Sequence, residues 1–312
     1  MKLAQEVLGV VFQNPVLLAA GTCGYGRELD GILDIDRLGG IIIKAVTIAP
    51  REGNPAPRVA EFDAGMLNSV GLANVGLELV RSEKLPWLAR RLRHARVLVN
   101  VAGSTVDEFA AIVRRLDDLS GFLGFELNVS CPNVKEGGAL FSAREDLLSA
   151  VVRGARAVTR KPLVVKLAPN VPDIGRMAEV AVAEGADGLS LVNTAPGMLF
   201  DLTTRRPVLG AGTGGVSGPA LLPIGVHAVW QARQRVRVPI LGVGGIRTGE
   251  DAVQYLLAGA SLIQVGTAAF ADPRAPLRVL DGLERFGARR GVQDVRELVG
   301  AGQAVAPGLV SE

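Results

Sequence analysis

Several things are scarce in this chain, and each scarcity excludes a reading. Cysteine occurs only twice in 312 residues, as Cys23 and Cys131. Two distant cysteines make neither a CxxC pair nor a disulfide framework, the usage expected of a reducing cytoplasm. They are also too few for an iron–sulfur cluster, which takes about four thiolates. Histidine occurs twice, as His94 and His227. Each lies on a helical pattern without ligand-like neighbours, so both are read as structural or surface residues and no metal site is expected. No apolar run approaches the ~18 residues of a membrane span. Gln5 and Glu6 stand where a secretory signal would carry its apolar core, so a cytoplasmic location is expected. Charge of one sign is not concentrated anywhere. The net charge of +3 and pI of about 9.1 reflect a small excess of interspersed basic residues. Neither nucleic acid nor a membrane is therefore an expected partner.

What is present is ordinary globular composition, with 48% apolar and 21% charged residues, and a surplus of glycine. Its 39 glycines fall mostly in loops after apolar runs, which suits a fold with many tight strand-to-helix turns. Eight short buried runs read as strands, at residues 16–20, 40–46, 96–102, 122–129, 162–167, 188–193, 239–244 and 261–265. Helical patterns lie between them, at 74–94 (interrupted near Pro86), 105–119, 143–159, 172–184, 219–236, 248–257 and 273–286. Pro172 is placed near a first-turn position. Thr248 caps its helix, with Asp251 at the capping-box distance. Two long connections, 47–68 and the stretch after Thr194 through Gly218, are read as loops, and long loops in compact domains are usually functional or mobile. The tail beyond Gly300 is expected to be loosely held. Strands without alternation are covered on both faces, as in a parallel sheet. Eight such units with no composition break predict one (β/α)8 TIM barrel domain over residues 1–312, with long loops over its C-terminal face. A doubly wound open sheet is the alternative.

Sites in such barrels form at the C-terminal strand ends. Those ends read, in order, Ala20-Gly21, Lys44, Asn100, Asn128, Lys166, Asn193-Thr194, Gly244-Gly245 and Gly266-Thr267. Amides and ammonium groups finish the middle strands. Lysine inside a β-branched run is uncommon unless it lines a cavity. Glycines after the last two strands match the usual phosphate position, where bare backbone N–H groups can approach a dianion. A phosphorylated ligand is expected, its polar face toward lysines and asparagines. Gly210-Ala211-Gly212-Thr213-Gly214-Gly215 fits GxGxxG, but it follows no buried strand and lacks an acidic residue at the ribose distance. Its glycines are read as shaping the loop before the sixth helix.

The fourth run continues into Asn128-Val129-Ser130-Cys131-Pro132-Asn133-Val134-Lys135-Glu136-Gly137-Gly138. A thiol between two amides at a strand end suits a planar polar ligand beside a proton acceptor, although Pro and Asn are also ordinary turn residues. Together with Asn68-Ser69-Val70-Gly71-Leu72, Lys166-Leu167-Ala168-Pro169-Asn170 and Val192-Asn193-Thr194, this stretch resembles the dihydroorotate dehydrogenases, FMN enzymes of pyrimidine synthesis. The likeness runs from Asn14 to about Phe270. It implies oxidation of (S)-dihydroorotate to orotate, with loss of a C5 proton and a C6 hydride. Cys131 matches the family's base. A free thiol of pKa about 8.5 is only a few per cent ionised at pH 7, so the site must favour its thiolate. The resemblance implies substrate contacts from Lys44, Asn68, Ser69, Val70, Gly71, Leu72, Asn128, Asn133, Asn193 and Thr194. It implies one FMN per chain, held by Ala20, Lys44, Ala45, Asn100, Asn128, Lys166, Val192, Gly218, Gly244, Gly245, Gly266 and Thr267. Lys166 would stand at the flavin pyrimidine edge. Gly137-Gly138 would let the Cys131 loop open and close. The family often has serine where Ala20 stands and an aromatic residue near Cys23; no function is assigned to Cys23.

Val134-Lys135-Glu136-Gly137-Gly138 is similar to the subclass that passes electrons to NAD. For a chain with too few cysteines for a cluster and no dinucleotide fingerprint, the resemblance then implies a partner subunit carrying FAD and a [2Fe-2S] cluster, in a heterotetramer built on a homodimer. The nearest rival is the same oxidation with fumarate or another soluble acceptor and no partner. More distant rivals are a flavin-free barrel using Lys44 or Lys166 as a Schiff-base lysine on a sugar phosphate, and a non-catalytic phosphate-ligand binder.

Overall fold

Every barrel strand divides its side chains the same way, and the division explains the architecture. In the computed structural model, which describes residues 1–130, 132–133 and 139–305, eight parallel strands close into a barrel. They are β1 Val16–Leu18, β2 Gly40–Val46, β3 Arg96–Val101, β4 Gly124–Asn128, β5 Leu163–Leu167, β6 Gly188–Leu191, β7 Ile240–Val243 and β8 Leu262–Val265. Each pairs with its sequence neighbours, and β8 returns to β1. Alternation along a strand sends one set of side chains outward and the other into the barrel. The outward set, including Ile41, Ile43, Val97, Val99, Phe125, Leu127, Val165, Leu189 and Ile263, joins the large core shared with the helices. The inward set begins with Leu17, Ile42, Leu98, Val164, Leu241 and Leu262, a separate apolar cluster inside the barrel. Val7 and Phe12, from the hairpin of Gln5–Val7 with Val10–Phe12, complete this cluster and close the N-terminal end. Two residues further along β2, β3, β5 and β8 the inward positions turn polar, to Lys44, Asn100, Lys166 and Gln264, and there the site begins.

The helices that clothe the barrel are α1 Leu85–Arg91, α2 Val106–Leu116, α3 Glu145–Arg156, α4 Ile174–Ala183, α5 Leu222–Arg235, α6 Gly249–Ala258 and α7 Ala275–Arg290. In α2, Phe109, Ile112, Val113 and Leu116 recur at helical spacing and are fully buried. Each such side chain contributes about 1.5–3 kcal/mol by leaving water. Thr105 caps α2, its hydroxyl accepting from the Glu108 N–H at 3.3 Å. Thr248 and Asp251 form the anticipated capping box on α6. Among the described residues the β1–β2 connection holds two 3-10 turns, Arg27–Leu29 and Ile35–Arg37, and no α-helix.

Four sequence expectations are corrected. The helix before α1 is not interrupted at Pro86. Gly76–Leu79 runs through a π turn, Val80–Lys84, straight into α1, with the Leu85 N–H donating to the Val80 carbonyl five residues back. The wider turn accommodates a proline that would clash with the regular ladder. Pro172 lies outside α4, because Asp173 is the cap and accepts from the Arg176 N–H at 2.9 Å. Residues 301–305 are held, since Gln303 Nε2 donates to the carbonyls of Ala258 (2.8 Å) and Trp230 (3.2 Å). Most consequentially, the two long connections are not merely loops. Val59–Phe62, Gly65–Asn68, Gly214–Ser217 and Ala195–Gly197 pair antiparallel as a four-stranded sheet. Among the described residues no helix is long and apolar enough to cross a membrane.

Candidate active site

Above the apolar floor, the inward positions are Lys44 on β2, Asn100 on β3, Glu126 on β4, Lys166 on β5, Ser190 on β6 and Gln264 on β8. Register places them side by side: Asn100 lies opposite Glu126, and Lys166 opposite both Asn128 and Ser190. Glu126 is 0% exposed and stands at the centre of this layer. Its carboxylate accepts from Asn100 Nδ2 (2.7 Å), Ser190 Oγ (2.5 Å) and Gln264 Nε2 (3.1 Å). Lys166 Nζ lies 3.9 Å away. A buried carboxylate is tolerated only with such compensation. Sequence reading placed Lys44, Asn100 and Lys166 correctly at the strand ends but passed over Glu126, Ser190 and Gln264. The available signal was a charged residue inside the apolar run Gly124–Asn128. The carbonyl oxygens Asn100 Oδ1 and Gln264 Oε1 are buried and lack a hydrogen-bond partner among the described residues.

The mouth above this layer is rich in amides. Asn193 Nδ2 donates to Asn128 Oδ1 at 3.1 Å, while Asn193 Oδ1 accepts from the Thr194 N–H at 2.8 Å. The two asparagines therefore hold each other in a fixed orientation. Val192 is joined to Leu191 by a cis peptide, and its N–H donates to the Val243 carbonyl. Asn68 ends its strand of the four-stranded sheet, where Nδ2 donates to the Gly215 carbonyl at 3.0 Å. Ser69 Oγ accepts from Asn54 Nδ2 at 2.7 Å, a supporting contact that sequence reading missed. The chain then turns at Gly71, and Leu72 packs on Ala45 and Ala102 at the ends of β2 and β3. Thus residues 68–72, remote in sequence from the barrel lysines, are docked onto the rim. The GxGxxG segment has a structural task here. A Cβ on Gly214 would stand 2.4 Å from the Asn68 carbonyl oxygen, and one on Gly215 would stand 2.1 Å from Thr194 Oγ1. Its glycines let the sheet close onto residues of the mouth.

Across the barrel lie Gly218, Gly244, Gly245, Gly266 and Thr267. Gly244 and Gly245 both have positive φ, +127° and +74°, a turn that glycine adopts without steric cost. Tyr255 of α6 braces it from below, its hydroxyl donating to the Gly244 carbonyl at 2.8 Å. The ring fits because Gly242 and Gly225 lack side chains: a Cβ there would stand 2.4 Å and 1.9 Å from Tyr255 atoms. Burial, with Asp251 adding to it, pushes the phenol pKa well above its ordinary value, so the hydroxyl stays a donor. Gly266 opens the first turn after β8, and a Cβ there would meet nothing closer than Ala19 Cβ at 3.5 Å. Ala20 is half-buried and packs against the interior cluster.

Cys131 and residues 134–138, including Gly137 and Gly138, lie outside the described residues, as do the side chains of Pro132 and Asn133. The backbone of Asn133 pairs with Ala139. Cys23 is a buried free thiol whose Sγ lies 3.3 Å from the Ile42 carbonyl and 3.4 Å from that of Ala19. Burial, then the Glu28 charge, pushes its pKa up to about 12, so it is an inert packing residue. His94 and His227 are both exposed. Among the described residues no cluster of three His, Cys, Asp or Glu could hold a metal.

A barrel whose interior changes from apolar to cationic and amide-rich toward its C-terminal mouth, with glycine turns after β7 and β8, has the organisation of an enzyme acting at that mouth. The chain matches the protein family described as "Dihydroorotate dehydrogenase" over residues 2–286. It belongs to the dihydroorotate dehydrogenase family and is an oxidoreductase. It is 46% identical, over 96% of this chain and 97% of the relative, to the "Dihydroorotate dehydrogenase B (NAD(+)), catalytic subunit" of Geotalea daltonii. It is 50% identical, over 96% and 98%, to the "Putative dihydroorotate dehydrogenase A (fumarate)" of Solibacter usitatus. Among solved structures it is similar to DHODH of Eimeria tenella in complex with ferulenol, at a TM-score of 0.81 and 26% identity over 97% of this chain and 89% of that one.

Proposed function

We propose that the chain uses one FMN to oxidise (S)-dihydroorotate to orotate in pyrimidine synthesis. The observation that carries the proposal is the convergence of Lys44, Asn100, Asn128, Lys166 and Asn193 at one barrel mouth, opposite the Gly244-Gly245 and Gly266-Thr267 turns. The residues present fit the cofactor. Two ammonium groups suit an electron-rich pyrimidine edge. Unpartnered buried oxygens mark a polar layer that its own side chains do not complete. Glycine backbone suits a phosphate. Ala20, Lys44, Ala45, Asn100, Asn128, Lys166, Val192, Gly218, Gly244, Gly245, Gly266 and Thr267 would hold it. FMN, when bound, accepts the hydride from C6.

The remaining work falls to side chains. Asn68, Asn128, Asn133 and Asn193 each donate and accept, and so match a cyclic diamide with a carboxylate. The Asn128–Asn193 bond fixes which end of each amide is offered. Ser69, Val70, Gly71, Leu72 and Thr194 shape the cover, with Leu72 docked on Ala45 and Ala102. Cys131 takes the C5 proton. Lys166, engaged with the buried Glu126, suits a fixed positive charge better than the free amine a Schiff-base mechanism requires.

We take the acceptor to be NAD, reached through a partner subunit with FAD and a [2Fe-2S] cluster, in a heterotetramer built on a homodimer. Relatives named as NAD-linked catalytic subunits support this, as does a chain with only two cysteines. The fumarate reading keeps support from the 50% identical relative named for fumarate. The test is to purify the chain, look for a flavin absorption band, and assay dihydroorotate oxidation with NAD, fumarate and a dye, with and without the partner. Absence of flavin overturns the proposal. Efficient NAD reduction by the chain alone overturns the partner assignment, and turnover with fumarate establishes the second reading.

A further inference from the structure

A pocket suited to an electron-rich ligand has a buried acidic side chain in its wall. Glu126 is wholly enclosed, and replacing it by an apolar residue of similar size would relieve the barrel of a desolvated acid. Its partners are all members of the polar layer: Asn100, Ser190 and Gln264 donate to it, and Lys166 Nζ stands 3.9 Å away. Gln264 Nε2 also donates to Ser190 Oγ at 2.8 Å, so the carboxylate is gripped by a connected network. A carboxylate only accepts. Both amides must therefore turn their NH2 groups to it, which leaves Asn100 Oδ1 and Gln264 Oε1 unpartnered among the described residues. The same layer holds two cations, Lys44 and Lys166.

We infer that Glu126 is a positioning residue, a fixed anion that holds the Lys166 ammonium and the Asn100 amide in place and offsets one of the two lysine charges. It thereby sets how strongly the pocket favours negative charge on its ligand. The inference rests on the reading that this pocket binds FMN. Reduction adds negative charge to a flavin, so a nearby anion opposes it, and removing the anion leaves Lys44 and Lys166 unopposed.

The experiment compares FMN-loaded wild type with Glu126→Gln and Glu126→Asp, measuring the flavin midpoint potential by dye equilibration and FMN dissociation from the apoprotein. Glu126→Gln is expected to shift the two-electron equilibrium at least tenfold toward the reduced form, about 30 mV upward. Glu126→Asp, which keeps the charge, is expected to stay within about threefold of wild type. Equal shifts in both variants, or none in Glu126→Gln, overturn the inference. If Glu126→Gln does not fold, the double variant Glu126→Gln/Lys166→Met is compared with Lys166→Met. A potential at least tenfold more oxidising in the double variant supports the inference, and equal potentials overturn it. Wild-type protein that binds no FMN refutes the underlying reading and this inference with it. FMN-loaded variants with unmoved potentials refute this inference alone.

Discussion

Replacing Tyr255 by phenylalanine removes one oxygen atom from beneath the Gly244-Gly245 turn. The ring keeps its place, since Gly242 and Gly225 still leave room for it. What is lost is the 2.8 Å bond to the Gly244 carbonyl. Loss of such a part-buried hydrogen bond costs about 0.5–1.5 kcal/mol. With an unfolding entropy of about 2 cal/mol/K per residue, a chain of this size is expected to lose about 1–2 °C of Tm. The turn lies in the proposed phosphate cradle, so part of the penalty is expected in binding, as an FMN dissociation constant raised about three- to tenfold. Calorimetry of the apoprotein and fluorescence titration with FMN measure the two quantities separately. Burial keeps the phenol protonated, so the stability difference is expected to stay flat through neutral pH. It should narrow only above about pH 10, where the phenol of the unfolded chain ionises. An unchanged Tm together with an unchanged FMN affinity would refute the claim that Tyr255 braces the turn.

Three further outcomes are expected. Cys131→Ala should retain FMN but slow flavin reduction by dihydroorotate by roughly 10²–10⁴-fold in stopped flow, the effect of a lost acid–base group; an unchanged rate would assign the proton to another residue. In that same variant the remaining thiol, Cys23, should react with an aromatic disulfide reagent only after denaturation, because it is buried and its pKa is pushed up to about 12; rapid reaction of the native variant would contradict this. Burial raises the pKa of Asp36, but the N–H groups of Ala95, His94 and Arg93 outweigh it and hold the net value below the usual carboxylate range. The stability it contributes is therefore present above about pH 4 and fades as pH falls through the lowered folded value. Melting curves of wild type and Asp36→Asn should thus converge in acid, and a gap independent of pH would rule out the charge as its source.

How much of this was readable in the chain depends on the range of the interactions involved. Strands β1 to β8 were legible because a doubly covered strand needs an apolar residue at nearly every position, a local requirement. Lys44 and Lys166 stood out for the converse reason, as ammonium groups inside such runs. The helix through Pro86 was misread because the π turn that accommodates the proline is a backbone adjustment upstream of it, at Val80–Lys84, that no residue type announces. The strands within 59–68 and 195–217 are only three or four residues long, too short to carry a legible alternation, so the sheet they form was invisible until their partners were known.

By itself, then, the sequence determined the barrel, the polar end of it and the family, because each is written in residues a few positions apart. Only the tertiary structure decided what surrounds those groups. The carboxylate of Glu126 draws one donor from the adjacent strand β3 and two from β6 and β8, strands that only closure of the barrel brings across from it. The cover over the mouth arises from two connections far apart in sequence that satisfy each other's backbone hydrogen bonds. A hydrogen-bond partner is chosen by distance in space, and in a closed barrel that distance bears little relation to separation along the chain.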